Sequence, residues 1–219
     1  MAERTLAEVQ LSLFEYRANF QDPIFAAFER PGIIADALYR SFRQWNVGFE
    51  NIIWKALPVN ANEVQLVCEL LNKRITFSVM LGVTSMLVTN PSWSEGALIA
   101  AIASSGMSAV QASTGGVTNQ QAVTLAMHLK PDGKSAREVT ARFQAIKTGP
   151  GIDNALKGLG FSVYGHDISW LVDLSAVYPG SLFVRTNRVF GPSTPFDEIA
   201  RTVKKDEDSI LDILELRIE

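Results

Sequence analysis

Residues 168–190 read ISWLVDLSAVYPGSLFVRTNRVF and place two apolar, β-branched runs around a short turn. The runs are Ile168 to Val177 and Leu182 to Phe190, and Tyr178-Pro179-Gly180-Ser181 separates them. Proline followed by glycine at the two central positions is typical of a type II turn, because proline presets the first φ and glycine accepts the positive second φ. The stretch therefore predicts a β-hairpin, and with it an antiparallel sheet.

One face of this predicted hairpin carries polar side chains that suit a polar ligand. With the turn centred on its Pro-Gly pair, we expect Asp173 opposite Thr186 and diagonal to Arg188. An aspartate and an arginine on a concave sheet can bind a polar ligand, whereas at a surface such a pair is a salt bridge worth under about 1 kcal/mol. His128, on a strand face turned to solvent or to a cavity, completes the candidate ligand-binding residues.

Other strand patterns predict that most of the sheet is antiparallel. They cover Leu6 to Arg17, Phe49 to Leu57, Glu63 to Leu71, Arg74 to Val83, Ser85 to Thr89 and Val123 to Lys130. Asn72-Lys73 is short enough for a hairpin turn, and Gly82 indicates a bend. Because several strands are apolar on both faces, we expect the sheet to be sandwiched or to meet a partner.

Three principal helices are expected to cover the sheet. The first starts at Pro31, which suits the first turn of a helix, and ends near Gly48. Thr194 caps the last, which has Pro195 at its first position and continues to Leu214, either unbroken or with a break at Lys205-Asp206.

Capping boxes mark two further helix starts. Ser92 to Glu95 opens the second principal helix, which is expected to stop at Gly115. Ser135 to Glu138 opens a helix to about Lys147, followed by a short helix that ends at Gly158.

These patterns give an α+β fold with a curved, mostly antiparallel sheet covered by about three principal helices. The 219 residues fit a single domain or two closely packed halves, about 1–118 and 119–219. A short internal repeat favours two halves, because Ser85 to Asn90 and Ser181 to Asn187 are similar strand segments that each lead into a capped helix.

The second principal helix lies in GALIAAIASSGMSAVQASTGG, residues 96–116, which is apolar but poor in large side chains. Four larger residues can fix it to a sheet, namely Ile99, Ile102, Met107 and Val110. A face of small residues has no ridges and lets another backbone approach closely. Three interpretations of this face stay open. It packs on the sheet, it packs against a helix of the other half or of another subunit, or it contacts a membrane. Its serines make insertion into a membrane costly. The candidate interface residues are Ala97, Ala101, Ser105, Ala109 and Ala112.

Composition argues against several function classes. The net charge of −3 and the pI of about 5.5 leave no basic excess for nucleic acid. The lone cysteine, Cys68, permits no internal disulfide, and the N-terminus lacks the plan of a signal peptide, which favours a cytoplasmic location. Apolar runs break before about 18 residues, so we expect no transmembrane segment.

Motifs for catalysis, cofactors and metals are absent from the sequence. Gly-x-Ser-x-Gly, Ser-x-x-Lys and Gly-x-Gly-x-x-Gly do not occur, and His128 and His166 lack metal-ligand spacing. The first functional hypothesis is a non-catalytic intracellular module that assembles with itself, as a homo-oligomer, or with another protein. The second is a small-molecule binder or cryptic enzyme with a sheet-lined pocket near Asp173, Arg188 and His128.

Overall fold

The computed structural model describes residues 4–25, 29–55, 64–141, 143 and 161–218, and these form an α+β fold of ten strands and three main helices. The predicted fold class is confirmed. The strands are β1 Thr5–Phe20, β2 Ile52–Lys55, β3 Gln65–Leu70, β4 Ile75–Val79, β5 Val83–Thr89, β6 Thr118–Pro131, β7 Phe161–Tyr164, β8 Ile168–Leu174, β9 Leu182–Phe190 and β10 Leu216–Arg217. The helices are α1 Pro31–Phe42, α2 Gly96–Thr114, the short α3 Ala136–Ala141 and α4 Phe196–Leu214.

Neighbouring strands follow the order β2-β3-β4-β5-β1-β6-β9-β8-β7, and β10 pairs with β1 in parallel. The ladders β1–β5, β2–β3, β3–β4, β4–β5, β7–β8 and β8–β9 are antiparallel. Contacts divide the chain into two compact units. The hairpin unit comprises 1–12, 124–188 and 202–219, and the helix-pair unit comprises 13–123 and 189–201. The halves expected from the sequence, about 1–118 and 119–219, stay a prediction.

In the helix-pair unit, α1 packs against α2 through an aromatic core. Ile34, Leu38 and Phe42 recur every four residues and are buried, as the helical spacing predicts. The ring of Phe42 meets that of Phe77 edge-on, with centroids 5.3 Å apart. Gly106 of α2 lies on these two rings, because a Cβ there would stand 2.5 Å from Phe77 Cε2 and 2.8 Å from Phe42 Cζ. The close backbone approach of α2 therefore occurs at Gly106.

The ends of α2 confirm the predicted signals. Ser92 N–H donates to Glu95 Oε2 at 3.2 Å, and Ser94 N–H donates to Ser92 Oγ at 3.3 Å, so a capped 3₁₀ turn leads into the helix. Gly115 ends it with φ +70°, donating its N–H to Gln111 O. Glycine tolerates this left-handed conformation without steric cost.

Some boundaries differ from the predictions. The first helix ends earlier than Gly48, because a 3₁₀ turn over Arg43–Trp45 leads to Asn46 in the left-handed region, at φ 58°. The strand expected from Phe49 begins only at Ile52, after a second 3₁₀ turn. The helix predicted to open at Ser135 to Glu138 is present as α3, with Ser135 N–H donating to Glu138 Oε2 at 2.6 Å and Glu138 N–H donating to Ser135 Oγ at 3.2 Å. Residues 56–63, the predicted end of that helix near Lys147 and the short helix ending at Gly158 lie outside the described residues.

In the hairpin unit, β8 and β9 form the predicted hairpin but in a different register. Gly180 has φ +79°, and Ser181 N–H donates to Tyr178 O at 3.1 Å, which closes the turn at the expected residues. The ladder, however, pairs Asp173 with Phe183, because Ser175 N–H bonds Ser181 O and residues 175–181 form a seven-residue loop. The predicted pairing of Asp173 with Thr186 is therefore wrong.

Candidate functional site

Helix α2 turns a row of small, uncharged side chains toward solvent. Its 19 residues include no charged side chain. One side is buried, through Ile99, Ile102, Ala103, Gly106, Met107, Ala109 and Val110. The opposite side is exposed, through Ala97, Ala101, Ser104, Ser108 and Ala112, which we call the α2 stripe. Steps of three and four residues keep these five on one side of the helix.

Open clefts flank the α2 stripe on both sides. The first, of about 560 Å³, lies between α1 and α2 and is lined by Arg40, Ser41 and Gln44 together with α2 residues that include Ser104 and Ser108. The second, of about 240 Å³, lies between α2 and the segment 192–196. Exposed apolar side chains mark the two ends, Trp93 before α2 and Val117 after it. The α2 stripe thus lies between two open clefts.

The polar groups at the base of the second cleft are occupied by the fold itself. Tyr16 donates its hydroxyl proton to Gln121 Oε1 at 2.6 Å, and Gln121 Nε2 lies 2.9 Å from Gly191 O and 3.0 Å from Thr194 O. Burial raises the pKa of Tyr16 to about 12, so this hydroxyl stays protonated. The network fixes the chain between β9 and α4 and offers no general acid or base.

The candidate interface residues fall on both sides of α2. Ala97, Ala101 and Ala112 are exposed, Ser105 is half-buried and Ala109 is buried. On the exposed side of α2, Ser104 and Ser108 stand where Ser105 and Ala109 were expected. The sequence contained a signal for Ser104 and Ser108, because helical spacing places both opposite the large residues that fix α2 to the core. Whether another molecule covers this face stays a prediction.

The candidate ligand-binding residues are divided between the two faces of the hairpin. Asp173 pairs with Phe183, whereas Thr186 pairs with Trp170 and Arg188 with Ile168. Because side chains alternate along a strand, Asp173 and Arg188 point to opposite faces. Thr186 is buried. Arg188 binds Asp206 on α4 instead of Asp173, through contacts of 2.5 and 2.6 Å.

His128 lies on the face that carries Asp173 and Phe183. Its Nδ1 is 2.8 Å from Ser175 Oγ, and its ring packs against those of Tyr178 and Phe183, with both centroid distances 5.1 Å. Burial lowers the pKa of His128 below its usual range. Asp173 accepts the N–H of Leu174 at 2.7 Å. The structure thus places His128 in an aromatic and serine cluster that sequence reasoning missed.

Features that would indicate metal or thiol chemistry are not found in the described residues. No group of three or more His, Cys, Asp or Glu that could hold a metal ion occurs there. Burial raises the pKa of Cys68 to about 12, so its thiol is an inert part of the core. Trp93–Thr114 is long and apolar enough to cross a membrane by length and composition alone, a property that core helices of soluble proteins share.

No protein-family model matches the chain, and no curated protein matches it significantly. Function therefore has to be inferred from the surfaces described above. Of these, the α2 stripe has the most unusual chemistry, because it is an exposed helix face without charge.

Proposed function

We propose that this protein is a non-catalytic assembly module that binds a second copy of itself through α2. The observation that carries the proposal is the solvent side of α2, where alanine and serine stand at every position of the α2 stripe. A helix that faces only water usually carries charged side chains on that side. A partner that covers the stripe gains dispersion contacts with backbone as well as side chains.

The chemistry of the stripe favours a second copy as the partner. A helix that packs closely on Ala97 and Ala101 has to bring an uncharged face of small residues. Among the helices of the described residues, α1, α3 and α4 carry acidic and basic side chains, and α2 carries neither. The α2 stripe is therefore complementary to itself, as a twofold-symmetric interface requires.

An antiparallel pair brings matching positions together. With the twofold axis between Ser104 and Ser105, Ala97 faces the partner's Ala112 and Ala101 faces the partner's Ser108. Opposed helix dipoles favour this direction. Serine hydroxyls buried in such a contact can bond a carbonyl of their own helix, as Ser113 does to Ala109 O at 2.7 Å. A cytoplasmic location belongs to this proposal, since the one thiol is free and buried.

Cysteine crosslinking tests the proposal directly. Because Cys68 is buried with a raised pKa, a cysteine introduced at the surface is the only reactive thiol. We expect oxidised Ser104→Cys to run as a covalent dimer, and a mixture of Ala97→Cys and Ala112→Cys to crosslink more than either alone. Ser209→Cys, on an exposed position of α4, is the matched control and should stay monomeric.

Light scattering on the unmodified protein completes the test. A mass of two chains at about 50 μM, a concentration at which a micromolar Kd is saturated, supports self-association. A mass of one chain at that concentration, together with no crosslink through Ser104→Cys, would overturn it. Crosslinking of Ser209→Cys as efficient as that of Ser104→Cys would also count against α2 as the interface.

A further inference from the structure

We infer that the loop between β8 and β9, residues 175–181, is a cover over His128 that opens when this histidine gains a proton. The inference is independent of self-association through α2. It rests on Ser175, whose hydroxyl holds both the loop and the imidazole ring. Tyr178 of the loop lies edge-on against that ring, and Phe183 contacts it from β9.

The hydrogen bonds at Ser175 fix the tautomer of His128. Ser175 Oγ accepts the N–H of Val177 at 3.2 Å and the N–H of Tyr178 at 2.8 Å. A hydroxyl oxygen has two lone pairs, and these two bonds use both. Its own proton is therefore donated to His128 Nδ1, 2.8 Å away. His128 is thus neutral, with its ring proton on Nε2.

Protonation of His128 breaks this arrangement. An imidazolium carries N–H groups at both ring nitrogens, so Nδ1 no longer accepts the proton of Ser175. The new N–H points at an oxygen whose lone pairs already hold the loop. Either the ring leaves Ser175, or Ser175 gives up the N–H of Val177 or of Tyr178. Both outcomes loosen the loop and expose the rings beneath Tyr178.

Charged groups of both signs surround this cluster. On the same sheet face, β6 carries Lys130, β8 carries Asp173 and β9 carries Arg185. On β1, Glu8 lines a groove with Lys130 and Asp132. The phenol of Tyr178 is the remaining titratable group on the loop. Since acids and bases are mixed here, burial of the ring and its bond to Ser175 decide which form of His128 is favoured.

The sign of the pH effect follows from the direction of the shift. Burial lowers the pKa of His128 in the closed loop, while an opened loop restores the ordinary value of about 6.5. Above pH 6.5 the ring is neutral in both states and the closed loop is fully favoured. As the pH falls from there toward the lowered pKa, the open state binds more protons. Its population rises about tenfold for each pH unit in that window.

NMR provides the test, because the chain has only two histidines. The other histidine, His166, has a side chain that is 95% exposed. We expect imidazole ¹⁵N shifts at pH 7.5 to show His128 with an unprotonated Nδ1, and a pH series to show a titration midpoint of His128 below the ordinary value of about 6.5. Protection factors of the Val177 and Tyr178 amides should fall between pH 7.5 and pH 5, by about tenfold per pH unit from about pH 6.5 down to the lowered pKa of His128.

Variants separate the switch from general instability. His128→Gln should make the protection of the Tyr178 amide independent of pH over this range, and His166→Gln should leave the titration unchanged. Ser175→Ala should remove the protection at every pH and move the midpoint of His128 toward the ordinary value of about 6.5. A proton on Nδ1 at pH 7.5, or a Tyr178 protection factor that stays within twofold down to pH 5, would overturn the inference.

Discussion

Arg188 donates two hydrogen bonds to Asp206, from Nε to Oδ2 at 2.5 Å and from Nη2 to Oδ1 at 2.6 Å. The pair joins β9 to α4, and the two side chains keep only 26% and 8% of their exposure. These bonds raise the pKa of Arg188 above its usual range. A paired charge at this depth is costly to leave without its partner.

We expect Arg188→Ala to lower the free energy of unfolding by about 3–5 kcal/mol, since it leaves the Asp206 carboxylate buried without its partner. The double variant Arg188→Met with Asp206→Leu should lose much less, because it removes both charges. Urea denaturation measures both. Arg4→Ala, which removes the exposed ion pair with Asp212, is the control and should cost under about 1 kcal/mol. Equal losses in the single and double variants would contradict this view of the pair.

The contact of Gly106 with two aromatic rings predicts that two glycines of α2 differ in how alanine substitution changes the stability of the protein. Gly106→Ala forces Phe77 or Phe42 aside and should destabilise by about 1–3 kcal/mol. Gly96→Ala, at a position with open space around it, should be neutral or gain up to about 1 kcal/mol from helix propensity. Thermal melts compare the two, and a Gly106→Ala variant as stable as the parent would show that α2 lies farther from the rings.

Enlarging the α2 stripe should affect assembly and leave the chain's own stability intact. Ala101 is exposed, so Ala101→Leu should change the stability of a single chain by less than about 0.5 kcal/mol. In an α2–α2 contact, the larger side chain pushes the helices apart and should shift the mass toward one chain. Gel filtration with light scattering measures this, with Ser209→Leu as the exposed control. An unchanged dimer in Ala101→Leu would place the interface elsewhere.

Cys68 should report unfolding of the helix-pair unit. Burial raises the pKa of its thiol to about 12, so at pH 8 we expect almost no reaction with a disulfide reagent in the native protein. In denaturant the thiol regains an ordinary pKa near 8.5 and should react at once. The labelling rate against urea then follows the unfolding transition. Rapid labelling without denaturant would mean that β3 opens locally.

Local sequence signals predicted which segments form strands and helices better than they predicted the register in which the strands pair. Pro179-Gly180 identified the hairpin, because a proline and glycine pair determines a turn by itself. The register depended on the loop after Leu174, in which the Ser175 hydroxyl accepts the N–H groups of Val177 and Tyr178. Nothing in an alternating pattern shows where a side chain will accept hydrogen bonds from the loop backbone and so lengthen the loop.

The candidate sites were harder to predict for a related reason. The partner of Arg188 is a helical residue 18 positions later, which strand pairing alone does not reveal. On α2, small residues occur all round the helix, so periodicity set its orientation only weakly. The actual orientation depends on where Gly106 meets Phe77, a contact between distant parts of the sequence.

The pairing of β10 with β1 bears on the order in which the chain can fold. Thr5 N–H bonds Glu215 O at 2.9 Å, and Leu6 stands beside Arg217. On the ribosome, β1 emerges before every other described strand. The start of β1 nevertheless cannot pair with β10, the last described strand, until β10 has been made. Loop closure over such a separation costs little at equilibrium, since doubling the length adds only about 0.6 kcal/mol. Its effect is on time: non-local pairing is slow, and until β10 has been synthesised the start of β1 offers an unpaired edge to chaperones or to other nascent chains.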